Sequence, residues 1–225
     1  MFAIHSLGFK EEDIIIFGWS IGGYTSTWAA MNYPKIAGLI LDASFDDILP
    51  LAKYAMPDFL SPSVTLAIKR YFNLRPGAQL VKYHGPVTIV RRTQDDKVTT
   101  DQLKLSCNRG NNLLLMLLQS RYPKLFTTIS TRVLQHMLAQ EPVFIKSIMK
   151  EYHVDDNQCS CILDAYITHN GISYPMTIGE NMNIHEKTQL LLYLSSKYLL
   201  NLNNGHNFQL PHELFRQPWN PLFDK

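Results

Sequence analysis

The stretch Asp13-Ile14-Ile15-Ile16-Phe17-Gly18-Trp19-Ser20-Ile21-Gly22-Gly23-Tyr24 decides the fold. An apolar run feeds a serine framed by glycines, and helical periodicity begins at Tyr24. This is the Gly-x-Ser-x-Gly nucleophile elbow in a strand-turn-helix setting. A serine on so sharp a turn leaves no room for a Cβ at the flanking positions, which Gly18 and Gly22 fill. Ser20 is therefore the candidate nucleophile. The backbone N–H of Ile21 is the candidate donor to the oxygen of a tetrahedral intermediate. A glycine-rich helix entry or phosphate-binding turn is the competing reading, and no Lys follows as in a P-loop.

Working outward, residues 13–17 read as a buried strand, 24–32 as a helix closed by Tyr33-Pro34, and 36–41 as a second strand. Crossover handedness makes these strands parallel neighbours, with the elbow at their carboxyl end, where α/β folds place ligands. A third strand, 87–91, follows Gly85-Pro86. The expected fold is α/β, the C-terminal portion of an α/β-hydrolase: a partial parallel sheet in one domain over 1–225. Residues 46–82, rich in proline and in aromatic and aliphatic residues, read as a helical cap over the strand ends. They either line an acyl-chain pocket or simply cover the sheet. Residues 107–203 read as a mostly helical insertion.

A nucleophilic serine needs a histidine base and an acid to orient it, and chain order in this fold is Ser, acid, His. The loop Thr93-Gln94-Asp95-Asp96-Lys97-Val98 follows the third strand and supplies the acid. Asp95 is the candidate, Asp96 reads as a solvated turn or helix-cap residue, and Asp42 at the end of the second strand is a rival. Six histidines follow Asp95, and two sit at loop-like positions. His206 lies in Asn203-Asn204-Gly205-His206-Asn207 after a helix running from about 186 to 202. His169 lies in Thr168-His169-Asn170-Gly171 after the periodic segment 162–167. Both glycine-asparagine exits give a sharp turn into a loop, so both stay candidates. His136 and His185 read as helix-face and helix-start positions.

Composition narrows the classes further. With 225 residues, 46% of them hydrophobic and 18% charged, the chain is a globular protein with room for one sizeable core. A net charge of +2 does not point to nucleic acid as a partner, although mild attraction to anionic surfaces is permitted. Cys107, Cys159 and Cys161 leave one odd, and the Cys-x-Cys spacing does not suit a disulfide framework, so reduced thiols are expected. A metal site from Cys159, Cys161 and His153 or His169 lacks paired Cys-x-x-Cys spacing; no metal and no cofactor are expected. No apolar run approaches the ~20 residues of a membrane span, and no signal-peptide layout is present.

The phrases Gly-Trp-Ser-Ile-Gly-Gly (18–23), Leu-Asp-Ala-Ser-Phe-Asp-Asp (41–47), Arg-Arg-Thr-Gln-Asp-Asp (91–96) and Asn-Arg-Gly-Asn-Asn-Leu-Leu-Leu (108–115) together resemble the abhydrolase-domain-containing 16 family, the phosphatidylserine lipases. Arg121-Tyr122-Pro123 and Ile178-Gly179-Glu180-Asn181-Met182 extend the resemblance over most of the chain. It implies hydrolysis of glycerophospholipid acyl esters, phosphatidylserine to lysophosphatidylserine, and of monoacylglycerols. Ser20 and Asp95 match the family's triad positions, and the family's histidine is expected in the segment matching His169. His206 still matches what the fold asks for. The resemblance also implies a membrane-associated protein of endoplasmic-reticulum type, with a membrane surface and a phospholipid or acylglycerol as partners. The family's spanning segments, first strands and second oxyanion donor would then lie outside this chain. Two other classes share the elbow: a lipid-binding or interaction module without catalysis, and an acyltransferase or peptidase on the same fold.

Overall fold

The computed structural model describes residues 2–101 and 104–215. Four strands form one parallel sheet in the order β1 (Ile15–Trp19), β2 (Gly38–Asp42), β3 (Val87–Arg92) and β4 (Leu199–Leu202). Sequential order with parallel pairing forces a crossover between every pair of strands, and helices supply all three. After the short α1 (Phe2–His5), α2 (Gly22–Asn32) links β1 to β2. The second crossover carries α3 (Ile48–Tyr54), α4 (Ser61–Tyr71) and α5 (Pro76–Leu80). The third carries α6 (Arg109–Arg121), α7 (Thr128–Ala139), α8 (Pro142–Glu151), α9 (Asp156–Asn170) and α10 (Ile184–Tyr198).

Local chemistry fixes the element ends. Asn108 caps α6 by accepting from the Gly110 amide, and Asp155 caps α9 by accepting from Gln158. Thr127 with Ser130 and Asn183 with Glu186 form reciprocal capping boxes at α7 and α10. Gly171, at φ +73°, ends α9 in a conformation that disfavours any side chain.

The strands differ in burial for a topological reason. All five residues of β2 are buried, because β1 and β3 flank it and helices cover its faces. Among the described residues β1 pairs with β2 alone, leaving Phe17 and Trp19 each 44% exposed. The first strand is thus a half-exposed edge rather than the buried strand its apolar run suggests. It also begins later than expected, because residues Glu11–Asp13 form a 3₁₀ turn.

The core lies between the sheet and the helices of the third crossover, where Leu113, Leu114, Leu117 and Leu118 of α6 meet Leu190, Leu191 and Leu194 of α10. Arg121, buried in this layer, donates to Tyr198 Oη (3.0 Å) and to the carbonyls of Tyr83 (3.0 Å) and Gly85 (2.7 Å). It therefore joins α6, α10 and the approach to β3. Leu80 of α5 joins that core, but residues 46–75 behave differently. Leu51 packs with Phe45 and Val98 in a small separate cluster, whereas α4 buries no residue, and Phe59, Leu66, Tyr71 and Phe72 are exposed.

The last helix is shorter than its periodicity suggests. Leucine continues through Leu199-Leu200-Asn201-Leu202, but α10 stops at Tyr198, and these four residues form β4 beside β3. That strand carries the chain back to the end of the sheet where the elbow lies.

Candidate active site

Ser20 follows β1 directly and has φ +54°, the left-handed region that a serine enters only when its surroundings hold it there. Its N–H donates to the carbonyl of Asp42 (2.8 Å), and its own carbonyl accepts from Gly23 N–H (3.0 Å) and Ser44 Oγ (3.1 Å). The end of β2 and the start of α2 therefore grip the turn from both sides. A Cβ on Gly18 would fall on the Ser26 side chain, and one on Gly23 would fall on the Ser44 side chain. At Gly22 a Cβ would meet nothing within 4 Å. The expectation that Gly18 and Gly22 provide the close approach is corrected in its second half: Gly23, packed against the strand-end serine, makes that approach.

Three predicted residues meet at the carboxyl end of the sheet. Ser20 Oγ lies 2.9 Å from His206 Nε2, and His206 Nδ1 lies 3.0 and 2.8 Å from the two Asp95 carboxylate oxygens. Asp95 follows β3, and its Oδ1 accepts from the amides of Lys97 (2.8 Å) and Val98 (3.1 Å), which fix the carboxylate within its turn. Asp95 and His206 are 6% and 8% exposed, so their contact is shielded from water and its strength is preserved. With a carboxylate on the Nδ1 side, Nδ1 carries the ring proton and Nε2 accepts from the serine hydroxyl. The carbonyl of His206 accepts from Trp19 Nε1 (3.0 Å), and the two rings lie tilted with centroids 5.1 Å apart.

The other candidates stand elsewhere. His169 is exposed in the last turn of α9, which extends to Asn170, so the loop expected there is helix. It is not among the groups bonded to Ser20 or Asp95. Asp96 is exposed, and its hydrogen bond from Lys97 Nζ (2.7 Å) draws its carboxyl below the ordinary value. Asp42 is buried, but its two oxygens face the Arg92 guanidinium at 2.7 and 2.6 Å. Burial raises the Asp42 carboxyl above its ordinary value, and the hydrogen bond and charge of Arg92 work against that rise. His136 lies on α7, and His185 in the first turn of α10.

Ile21 is the N-cap of α2, and Gly23 and Tyr24 donate back to the carbonyls of Ser20 and Ile21, so the Ile21 N–H lies at the start of the helix, where amides lack partners within the helix. Cys159 is buried and Cys161 exposed on α9, Cys107 is partly buried, and all three are free thiols. Among the described residues no group of three or more His, Cys, Asp or Glu side chains could hold a metal ion, and no helix is long and apolar enough to cross a membrane.

An apolar cavity of about 520 Å³ borders the site, lined by Phe17, Trp19, Asp42, Phe208, Leu210 and Phe215 among others. Its walls come from β1, from Asp42 at the end of β2 and from the chain after His206. None comes from residues 46–82, the segment the sequence singles out for an acyl pocket. The sequence offered one signal for this wall, the aromatic residues Phe17 and Trp19 at alternate positions of an edge strand.

A parallel sheet crossed by helices, with a serine held at positive φ on the turn between its first strand and the following helix, defines an α/β hydrolase. Phosphatidylserine lipase ABHD16A of Rattus norvegicus is 44% identical to the chain over 220 residues, covering 97% of this chain and 39% of the relative. The protein of that name from Homo sapiens is 43% identical over the same length and shares. The uncharacterized protein F37A4.1 of Caenorhabditis elegans is 40% identical over 138 residues, covering 59% of this chain and 29% of its own. The chain belongs to the abhydrolase-domain-containing 16 (ABHD16A) family. It spans 39% of the length of the first two relatives. No family model matches the chain, and no solved structure matches it.

Proposed function

We propose that the protein is a serine hydrolase that cleaves acyl esters of glycerophospholipids, phosphatidylserine to lysophosphatidylserine, with Ser20, His206 and Asp95 as nucleophile, base and orienting acid. The observation that carries this reading is the unbroken relay from Ser20 Oγ through the His206 ring to Asp95. The substrate class rests on the name of the relatives, phosphatidylserine lipase.

In the proposed reaction His206 Nε2 takes the hydroxyl proton as Ser20 Oγ bonds to the ester carbonyl carbon, and the carbonyl electrons move onto its oxygen. Ile21 N–H faces that oxyanion. The carbon–oxygen bond to the lysolipid breaks, and the proton on His206 passes to the departing oxygen. Water then gives a proton to His206 and attacks the acyl-enzyme, and the same sequence frees the fatty acid and restores Ser20. Asp95 holds the imidazole in one tautomer and offsets its transient positive charge. The reading includes no cofactor. The apolar cavity beside Trp19 accommodates an acyl chain, monoacylglycerol esters belong to the same chemistry, and a membrane surface is the source of substrate.

The test is release of lysophosphatidylserine and fatty acid from phosphatidylserine vesicles by the protein and by its Ser20→Ala variant. The reading expects turnover that the substitution abolishes. Turnover equal in both proteins, or hydrolysis of peptide esters in preference to lipid, would overturn it.

A further inference from the structure

Arg92 closes β3 with a guanidinium that has no exposed surface and four hydrogen bonds. Nε and Nη2 donate to the two oxygens of Asp42 (2.7 and 2.6 Å), Nη1 donates to Asn204 Oδ1 (2.7 Å), and Nη2 donates also to the carbonyl of Phe208 (2.8 Å). Asn204 and Phe208 stand two residues before and two residues after His206. Asp42, the third anchor, is the residue whose carbonyl accepts the Ser20 amide. One buried cation thus binds the strand end that holds the nucleophile turn and both flanks of the histidine loop.

Sheet pairing does not do this work alone. The ladder between β3 and the returning chain continues through Thr93 N–H to Leu202 O (3.0 Å) and Gln94 N–H to Asn204 O (3.2 Å), and then stops. Beyond Asn204 the loop is held by Arg92, by the Trp19 bond to the His206 carbonyl, and by Asp95 itself. The carbonyl of Arg92 is in turn fixed by Asn108 Nδ2 (3.3 Å) at the head of α6. A planar fork reaches three anchors at once, and the point charge of a lysine cannot reproduce that arrangement.

We propose that Arg92 is the positioning residue for His206: through Asp42, Asn204 and Phe208 it sets the distance between Nε2 and Ser20 Oγ without touching either. The inference rests on the reading of Ser20 and His206 as nucleophile and base. A misplacement of about 1 Å at such a contact costs on the order of 10²-fold in rate.

Because Arg92→Gln alone would leave Asp42 buried without its counter-charge, the test uses the paired variant Asp42→Asn/Arg92→Gln together with Asn204→Ala, which keeps the ion pair. Folding is verified by thermal melting, and the rate of Ser20 labelling by a fluorophosphonate is resolved into reagent affinity and maximal rate. His206→Ala and Ser20→Ala are run alongside. The expected result is a maximal rate lowered roughly 10- to 100-fold in the paired variant and about 3- to 10-fold in Asn204→Ala, with reagent affinity unchanged. Folded variants that label at the parent's maximal rate, while His206→Ala is slow, would overturn the positioning role alone. Unimpaired labelling of His206→Ala would overturn the base assignment on which it rests.

Discussion

Ser20 Oγ and His206 Nε2 stand 2.9 Å apart although 186 positions separate them in the chain. Two strand ends make that contact. β1 delivers the serine on a turn at φ +54°, and β4 returns the chain past β3 so that the next loop places the histidine above it.

The glycines of the elbow divide by what their missing Cβ would touch. Gly18→Ala and Gly23→Ala press a methyl into Ser26 and Ser44, and each is expected to destabilise by about 1–3 kcal/mol with loss of activity. Gly22→Ala enters open space at the first residue of α2 and is expected to be neutral, or stabilising by up to about 1 kcal/mol. Thermal melts of the three variants check the order. A Gly22→Ala loss as large as that of Gly18→Ala would contradict it.

The adjacent acids separate by burial. Asp95→Asn removes the acceptor that fixes the His206 tautomer and is expected to lower turnover on the order of 10³- to 10⁴-fold while leaving substrate affinity close to that of the parent. Asp96→Asn removes an exposed contact with Lys97, and its expected effect on turnover is less than about twofold. Steady-state rates on phosphatidylserine vesicles distinguish the two.

Trp19→Phe keeps a ring beside His206 and removes the bond to its carbonyl. A three- to tenfold fall in maximal rate, on the order expected for slight misplacement of a base, should follow with stability nearly unchanged. Stopped-flow labelling measures it, and an unchanged rate would show that the loop does not depend on this bond.

The two thiols of α9 differ in burial. Burial pushes the Cys159 thiol up from 9.0 to about 11. The folded-state value lies above the unfolded one, so the contribution of the neutral thiol to stability is complete below pH 9 and is lost as pH rises through 11. At pH 8 iodoacetamide should therefore modify exposed Cys161 and leave Cys159 intact in the folded protein. Mass spectrometry of digested samples reads this, with equal modification of both as the contrary result.

What the sequence disclosed follows from how local each feature is. The elbow, β2 and β3 stand out because short apolar runs bounded by glycine or proline have few other conformations. β4 stayed hidden because Leu199 to Leu202 extends the leucine pattern of α10, and only pairing with β3 selects strand there. That hidden strand also explains why His169 and His206 look alike. Both follow a helix beside glycine and asparagine, and the difference lies in a nonlocal ladder that brings one loop to the sheet end and leaves the other at the tip of α9. Arg92 escaped notice for the same reason, since its partners lie 50, 112 and 116 positions away.

In the proposed reaction His206, and not His169, is the base for Ser20. Fluorophosphonate labelling of the parent protein and its Ser20→Ala, His169→Ala and His206→Ala variants, each shown to be folded, measures this directly. The expected result is rapid labelling of the parent and of His169→Ala, none of Ser20→Ala, and labelling of His206→Ala slowed on the order of 10³-fold or more. Rapid labelling of His206→Ala together with loss in His169→Ala would contradict it.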